Sequence, residues 1–234
     1  MVFLRVMTFN IQHGKGLDGK VRINRTVEFI KRFQPDILAL NEVDLRVLRS
    51  FCLNQPKVLA QGLKMKYIFH PLLKIPPGNY GNALLYKGDV LECERYALPF
   101  LMEPRGCMRA KIMLGVYEFE VLVVHLGVSK KERDMQLLQL ENLVQASQLP
   151  KIVLGDFNQD SLSSWLKEAK LFQPLHNSKS TAILSTFPQP RPNKQIDYIL
   201  LSEHWITKKI FSRTTDVSDH GPLISDIVLK ERFM

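Results

Sequence analysis

The chain has 234 residues, 45% of them hydrophobic and 24% charged, with 13 prolines, 12 glycines and 3 cysteines. That balance excludes a disordered, collagen-like or disulfide-scaffold chain, and no apolar run reaches the ~18 residues that a membrane helix needs. The formal charge is +9 and lopsided: residues 1–117 carry 18 basic and 9 acidic side chains, residues 118–234 carry 14 of each. A basic first half suits an anionic partner, whether nucleic acid, a phosphate ester or a lipid headgroup.

The opening residues alternate as a strand does. They show no basic head, long apolar stretch or small-residue cleavage site, so they do not read as a signal peptide. Cys52, Cys93 and Cys107 are odd in number and widely spaced, so the expectation is a reducing, cytoplasmic setting without disulfides or zinc knuckle. Strands are predicted at residues 4–10, 36–43, 82–87, 108–114, 119–126, 151–156, 195–201 and 222–229, several as continuous apolar runs typical of strands covered on both faces. Residues 22–33 place Ile23, Val27 and Ile30 at helical spacing before the stop at Gln34-Pro35. Ser129-Lys-Lys-Glu132 is a capping box opening a helix with Leu137, Leu140 and Val144 on one face, and residues 161–170 are a third helix. The turn-rich pieces at 76–81 and 187–193 are short enough to be surface loops, so one domain is expected. Helix-linked strands early and late, around a run of strands, predict the α/β class (α+β by some schemes), with mixed sheets and helices packed outside.

Polar residues gather where these strands end: Asn10, Glu42, His125, Asp156 with Asn158, Asp197, and Asp219-His220 just before the last strand. A carboxylate abutting four apolar residues must be paired, hydrogen-bonded or metal-bound, because burying it alone is costly. Strand ends of one sheet meet along one rim, and a rim of acids, amides and histidines has the composition of a hard-cation site. Oxygen donors without clustered thiolates suit Mg2+ or Mn2+ rather than structural zinc. A histidine beside such an ion transfers protons or stabilises a phosphoryl transition state, and Asp197 fits the role of orienting one imidazole.

The motifs Thr8-Phe-Asn10-Ile, Leu40-Asn-Glu42-Val-Asp, Tyr80-Gly-Asn-Ala-Leu-Leu, Val124-His125-Leu, Gly155-Asp156-Phe-Asn158, Ile196-Asp197-Tyr and Ser218-Asp219-His220-Gly-Pro run the length of the chain. In order and spacing they resemble the endonuclease/exonuclease/phosphatase superfamily, which includes pancreatic-type deoxyribonucleases, abasic-site endonucleases, neutral sphingomyelinases and inositol polyphosphate 5-phosphatases. Glu103-Pro-Arg-Gly-Cys-Met-Arg109 is similar to its small bacterial metal-dependent hydrolases. The resemblance implies a deoxyribonuclease I-like four-layer α/β/β/α sandwich of two mixed sheets with the site at one end. It also implies Mg2+- or Mn2+-dependent hydrolysis of a phosphate ester, of phosphodiesterase or nuclease type, by in-line water attack.

Carried over by position, Glu42 resembles the main metal ligand, with Asn10 and Asp219 completing the set directly or through water. Asp156 resembles the residue that positions or deprotonates the attacking water, and Asn158 its partner. His220, oriented by Asp197, would bind a phosphate oxygen. His125 matches the second histidine of the deoxyribonuclease and sphingomyelinase branches, a general acid for the leaving oxygen, and Arg109 resembles a phosphate-contacting arginine. The alternatives are a sphingomyelinase-like phospholipid phosphodiesterase, a sugar or inositol phosphatase, and an inactive binding module of the same fold. The lipid reading needs an exposed apolar hairpin; Leu98-Pro-Phe-Leu-Met102 is the one segment on offer, and it is expected to pack in the core or a turn. The basic stretches 15–25 and 46–57 are candidate substrate grips.

Overall fold

The computed structural model describes residues 3–172 and 184–230. In chain order these form β1 (Phe3–Asn10), α1 (Ile23–Lys31), β2 (Ile37–Leu45), α2 (Gln55–Leu63), β3 (Lys66–Ile75), β4 (Gly78–Tyr86), β5 (Asp89–Leu98), β6 (Arg105–Leu114) and β7 (Tyr117–His125). There follow α3 (Lys130–Gln145), β8 (Lys151–Asp156), α4 (Ser163–Glu168), β9 (Leu171–Phe172), β10 (Asp197–Ser202), β11 (Trp205–Ser212) and β12 (Leu223–Leu229). The strands make two six-stranded sheets, ordered β11-β12-β1-β2-β4-β3 and β5-β6-β7-β8-β10-β9.

Each sheet is antiparallel except for one parallel pair near its centre, β1 with β2 and β7 with β8. A parallel pair needs a crossover, and α1 and α3 supply it. In register, Asn10 then faces Asn41 and His125 faces Asp156 at the C-terminal ends of these pairs. Antiparallel β10 sets its first residue, Asp197, opposite Asp156.

The period of two along each strand explains the apolar runs. Leu4 and Val6 of β1 join Ile37, Ala39 and Leu84 in the core between the sheets, against Met108, Phe119, Val121, Ile152 and Ile199 of the second sheet. Met7 and Phe9 point the other way, into a core closed by Ile23, Val27 and Ile30 of α1. Leu137 and Leu140 of α3 and Trp165 of α4 cover Leu122, Val124 and Val153 on the far side. The result is a four-layer α/β/β/α sandwich with every layer sealed by aliphatic packing.

Local chemistry fixes the helix starts. The Ser129 side chain accepts from the backbone N–H of Glu132 while Glu132 reaches back to Ser129, the reciprocal cap that the sequence announced. Asn54 accepts from Lys57 N–H at the start of α2. Gly155 has φ +150, and a Cβ there would overlap the Val124 carbonyl of the neighbouring strand. Only glycine admits that approach just before Asp156.

All eight predicted strands and three predicted helices are present, with ends displaced by a few residues. Strands β3, β5, β9 and β11 and helix α2 are additions: the strands lie at sheet edges with many of their side chains in solvent, and β9 is two residues long, so they lack the apolar signal. The expected packing of Leu98-Pro-Phe-Leu-Met102 is corrected. Leu98 alone is buried, at the end of β5, while Phe100, Leu101 and Met102 stand out into solvent because Glu132 takes the backbone N–H groups of Leu101 and Met102 and turns the loop outward. No described helix is long and apolar enough to cross a membrane.

Candidate active site

The C-terminal ends of β1, β2, β7 and β8 converge at one end of the sandwich, and the predicted polar residues converge with them. Strand β2 carries a bulge there: Leu40 pairs with Ala83 and Val43 with Gly81, so Asn41 and Glu42 together oppose Asn82. A bulge inserts one residue and re-aims its neighbours. Glu42 takes φ 59, a conformation that non-glycine residues adopt at a cost, and so brings its carboxylate over to β1. Asn10 Nδ2 donates to Glu42 Oε1 at 3.0 Å and to Asp156 Oδ2 at 3.1 Å, linking the two sheets in one contact.

Asp156 lies at the centre. Its Oδ1 accepts from the backbone N–H of Asn158 at 2.8 Å, and Asn158 Nδ2 donates to the Leu126 carbonyl. Its Oδ2 lies 3.6 Å from His125 Nε2 and 3.7 Å from His220 Nε2. His220 Nδ1 meets Asp197 Oδ2 at 2.8 Å, while Asp197 Oδ1 is buried without a partner among the described residues. Phe187 packs over the His220 ring with centroids 4.9 Å apart. Asp219 closes the cluster: its Oδ2 accepts from Gln12 Nε2 at 3.1 Å, and Ser218 Oγ donates to the Asn10 carbonyl at 2.8 Å, pinning that segment to β1.

The electrostatics sort the two imidazoles. Burial opposes charge on His220, but the Asp197 carboxylate and its hydrogen bond outweigh it and push the ring up to about 10, an imidazolium at neutral pH. His125 is held well below the ordinary histidine value by burial, then by the Arg105 cation and by His220. Arg105 Nη1 sits 3.4 Å from His125 Nδ1; guanidinium only donates, so Nδ1 is the acceptor and Nε2 carries the hydrogen facing Asp156. Burial, then the Asp197 charge, push the Asp156 carboxyl up to about 7. Burial also raises Glu42, whose Asn10 hydrogen bond opposes the rise only in part.

Eight of the nine predicted site residues therefore share one rim: Asn10, Glu42, His125, Asp156, Asn158, Asp197, Asp219 and His220. Arg109 is the exception and is corrected. It lies on β6 opposite Leu122, well down the strand from the rim, and its guanidinium is paired with Glu94 and stacked over Tyr96. Arg105 occupies the rim instead, buried against His125 and paired with Glu103. Arg105 starts β6, whose antiparallel course against β7 brings its N-terminus to the same end as His125. Asn41 was also missed. Its Nδ2 donates to the Asn82 side chain and to the Val124 carbonyl, each at 2.9 Å, and its Oδ1 accepts from the Asp156 N–H at 3.0 Å, so one amide staples the sheets beneath the carboxylates.

Asp156, Asp197 and His220 each offer a ligand atom within 4.8 Å of the others. Within that group one oxygen of Asp197 already holds His220 Nδ1, at 2.8 Å.

The description "Endonuclease/Exonuclease/phosphatase family" belongs to the family model that matches residues 7–220. The chain belongs to this family. Among solved structures of the fold, an endonuclease/exonuclease/phosphatase from Beutenbergia cavernae is 20% identical with a TM-score of 0.83, covering 98% of this chain and 72% of that one. The human Nocturnin catalytic domain with bound sulfate is 21% identical with a TM-score of 0.73, covering 97% and 95%. A mannosyl-6-phosphatase from Bacteroides thetaiotaomicron is 19% identical with a TM-score of 0.71, covering 97% and 100%. No curated protein matches the chain. Members of the endonuclease/exonuclease/phosphatase family are generally hydrolases of phosphoester bonds, and this rim carries the groups for such chemistry.

Proposed function

We propose that the protein is a Mg2+- or Mn2+-dependent phosphodiesterase that hydrolyses an anionic phosphate ester by in-line attack of water. The observation that carries this reading is a buried Asp156 oxygen between two imidazoles of opposite character, His220 cationic and His125 neutral, beside the oxygen donors of Glu42, Asn10 and Asp219. The donor set fits a hard cation. Glu42 is a half-buried carboxylate with only an amide hydrogen bond in the described structure and no paired cation. Glu42 would hold the ion, with Asn10 and Asp219 completing the set. When bound, the ion supplies charge neutralisation at the phosphate oxygens and at the departing alkoxide.

The chain's own groups do the rest. Asp156 accepts the proton of the attacking water, with Asn10 and Asn158 fixing its two oxygens. His220, held by Asp197, donates from Nε2 to a phosphate oxygen as charge builds there. His125 has its Nδ1 turned to Arg105 and stays neutral, so it contributes a hydrogen bond from Nε2 rather than the proton expected of a general acid. Arg105 adds positive charge behind it.

The test is hydrolysis of bis(p-nitrophenyl) phosphate. Turnover with Mg2+ or Mn2+, its loss on chelation, and a drop of about a thousandfold in Asp156→Asn and in His220→Ala are expected. Full activity in either variant would remove the assignment.

A further inference from the structure

The exposed apolar side chains are unevenly placed. Phe3, Leu91 and Val116 are scattered singly, as is ordinary. Six others lie on loops at the catalytic end: Leu48 (69% exposed) and Phe51 (72%) after β2, Phe100 (48%), Leu101 (57%) and Met102 (81%) between β5 and β6, and Val128 (63%) after β7. Contacts join these loops into one surface. The backbone of Leu45 and Arg46 lies against Gly78 at the β3–β4 turn, and Arg49 stacks on Tyr80 of β4 at 5.3 Å. Leu73 of β3, Met102 and Val128 then line one open cavity together with Arg105, the arginine against His125.

Charge accompanies the patch. Arg46 just after β2, Lys57 in the first turn of α2, Lys74 at the end of β3 and Lys131 at the start of α3 are exposed on the elements that flank these loops. The acids of the same loops are already engaged, Asp44 with Arg49, Glu103 with Arg105, and Glu132 with backbone N–H groups. Apolar tips ringed by unspent cations are complementary to an anionic bilayer surface, with side chains entering the acyl boundary and basic groups at headgroup level. Single-stranded nucleic acid uses aromatic faces for stacking; of the six tips Phe51 and Phe100 have a ring, while Leu48, Leu101, Met102 and Val128 offer none. The β5–β6 loop is also fixed in advance by Glu132, so it has little order left to gain on insertion.

We propose that the catalytic end of the sandwich docks on anionic lipid membranes, with the Leu48–Phe51 and Phe100–Met102 loops as the inserted elements, so that the site meets its ester at a lipid surface. The docking rests on the loops alone; that the ester is hydrolysed there rests on the phosphodiesterase reading above.

Co-sedimentation with vesicles of phosphatidylcholine, with and without phosphatidylserine, tests it. The protein pellets with the mixed vesicles and far less with phosphatidylcholine alone. Leu48→Ser/Phe51→Ser and Leu101→Ser/Met102→Ser each weaken binding by at least about tenfold. Both double variants hydrolyse water-soluble bis(p-nitrophenyl) phosphate as the parent does, which shows that they are folded. Protein left in the supernatant, variants that pellet like the parent, or a loss confined to oligonucleotide binding would each overturn the docking surface. Vesicle binding without hydrolysis of the soluble ester would leave docking standing and sink the phosphodiesterase reading instead.

Discussion

Replacing Glu132 by alanine tests the link between helix α3 and the β5–β6 loop. The Glu132 side chain, in a residue 2% exposed, accepts from the N–H of Leu101 at 2.7 Å and of Met102 at 3.2 Å, and from Ser129 Oγ at 2.8 Å. Two backbone hydrogen bonds to a charged acceptor, at about 1.5 kcal/mol each, put the loss near 3 kcal/mol. The backbone N–H of Leu101, the Ser129 hydroxyl and the further backbone donors hold the carboxyl at about 2, against 4.5 for a free glutamate. At about 1.4 kcal/mol per pH unit that shift gives a similar ceiling, and screening beside an exposed loop lowers the expectation to about 2 kcal/mol. Because the folded value is depressed, this stability is complete above about pH 4.5 and drains away as pH falls toward 2. Urea unfolding of parent and Glu132→Ala across that range should show a gap of about 2 kcal/mol at neutral pH that narrows as the buffer becomes acidic. A gap independent of pH, or one below about 0.5 kcal/mol at neutrality, would refute the claim that an ionised Glu132 holds the loop.

The other predictions concern the rim. Arg105→Met should lower kcat/KM on the soluble diester by about a hundredfold, while Arg109→Met, which breaks only the contacts to Glu94 and Tyr96, stays within about twofold. Asn41→Ala should cost about 2–3 kcal/mol in urea unfolding, because the Val124 carbonyl and the Asp156 N–H lose their partner under the site. Gly155→Ala should destabilise by about 3 kcal/mol or more, since the added carbon meets backbone and not a flexible side chain; a melting temperature matching the parent would contradict the packing described.

Legibility in the sequence followed burial. Strands β1, β2, β7, β8, β10 and β12 are covered on both faces, so their apolar runs declare them. Edge strand β5, reading DVLECERYAL, presents charge to solvent along its length, and β3 carries Pro71 at a register shift, which a strand tolerates only at such a place. At the site, the carboxylates and histidines were conspicuous because each interrupts or ends an apolar run. Asn41 was overshadowed by Glu42 beside it, and nothing in the spelling marks the bulge that separates their directions. Arg105 and Arg109 sit four apart in one motif, and choosing between them required knowing which end of β6 faces the rim. The outward turn of Phe100–Met102 was equally hidden, since it depends on a carboxylate 30 residues away in sequence from Met102.

The contact from Asn10 to Asp156 spans 146 positions, and that from Gln12 to Asp219 spans 207. A ribosome must therefore release residue 219 before the end of the first strand can meet all its far partners. Truncated or half-folded products leave these groups apart, so they are chemically silent. Appearance of turnover during refolding would then time the last docking event of the molecule, later than any signal from helix content.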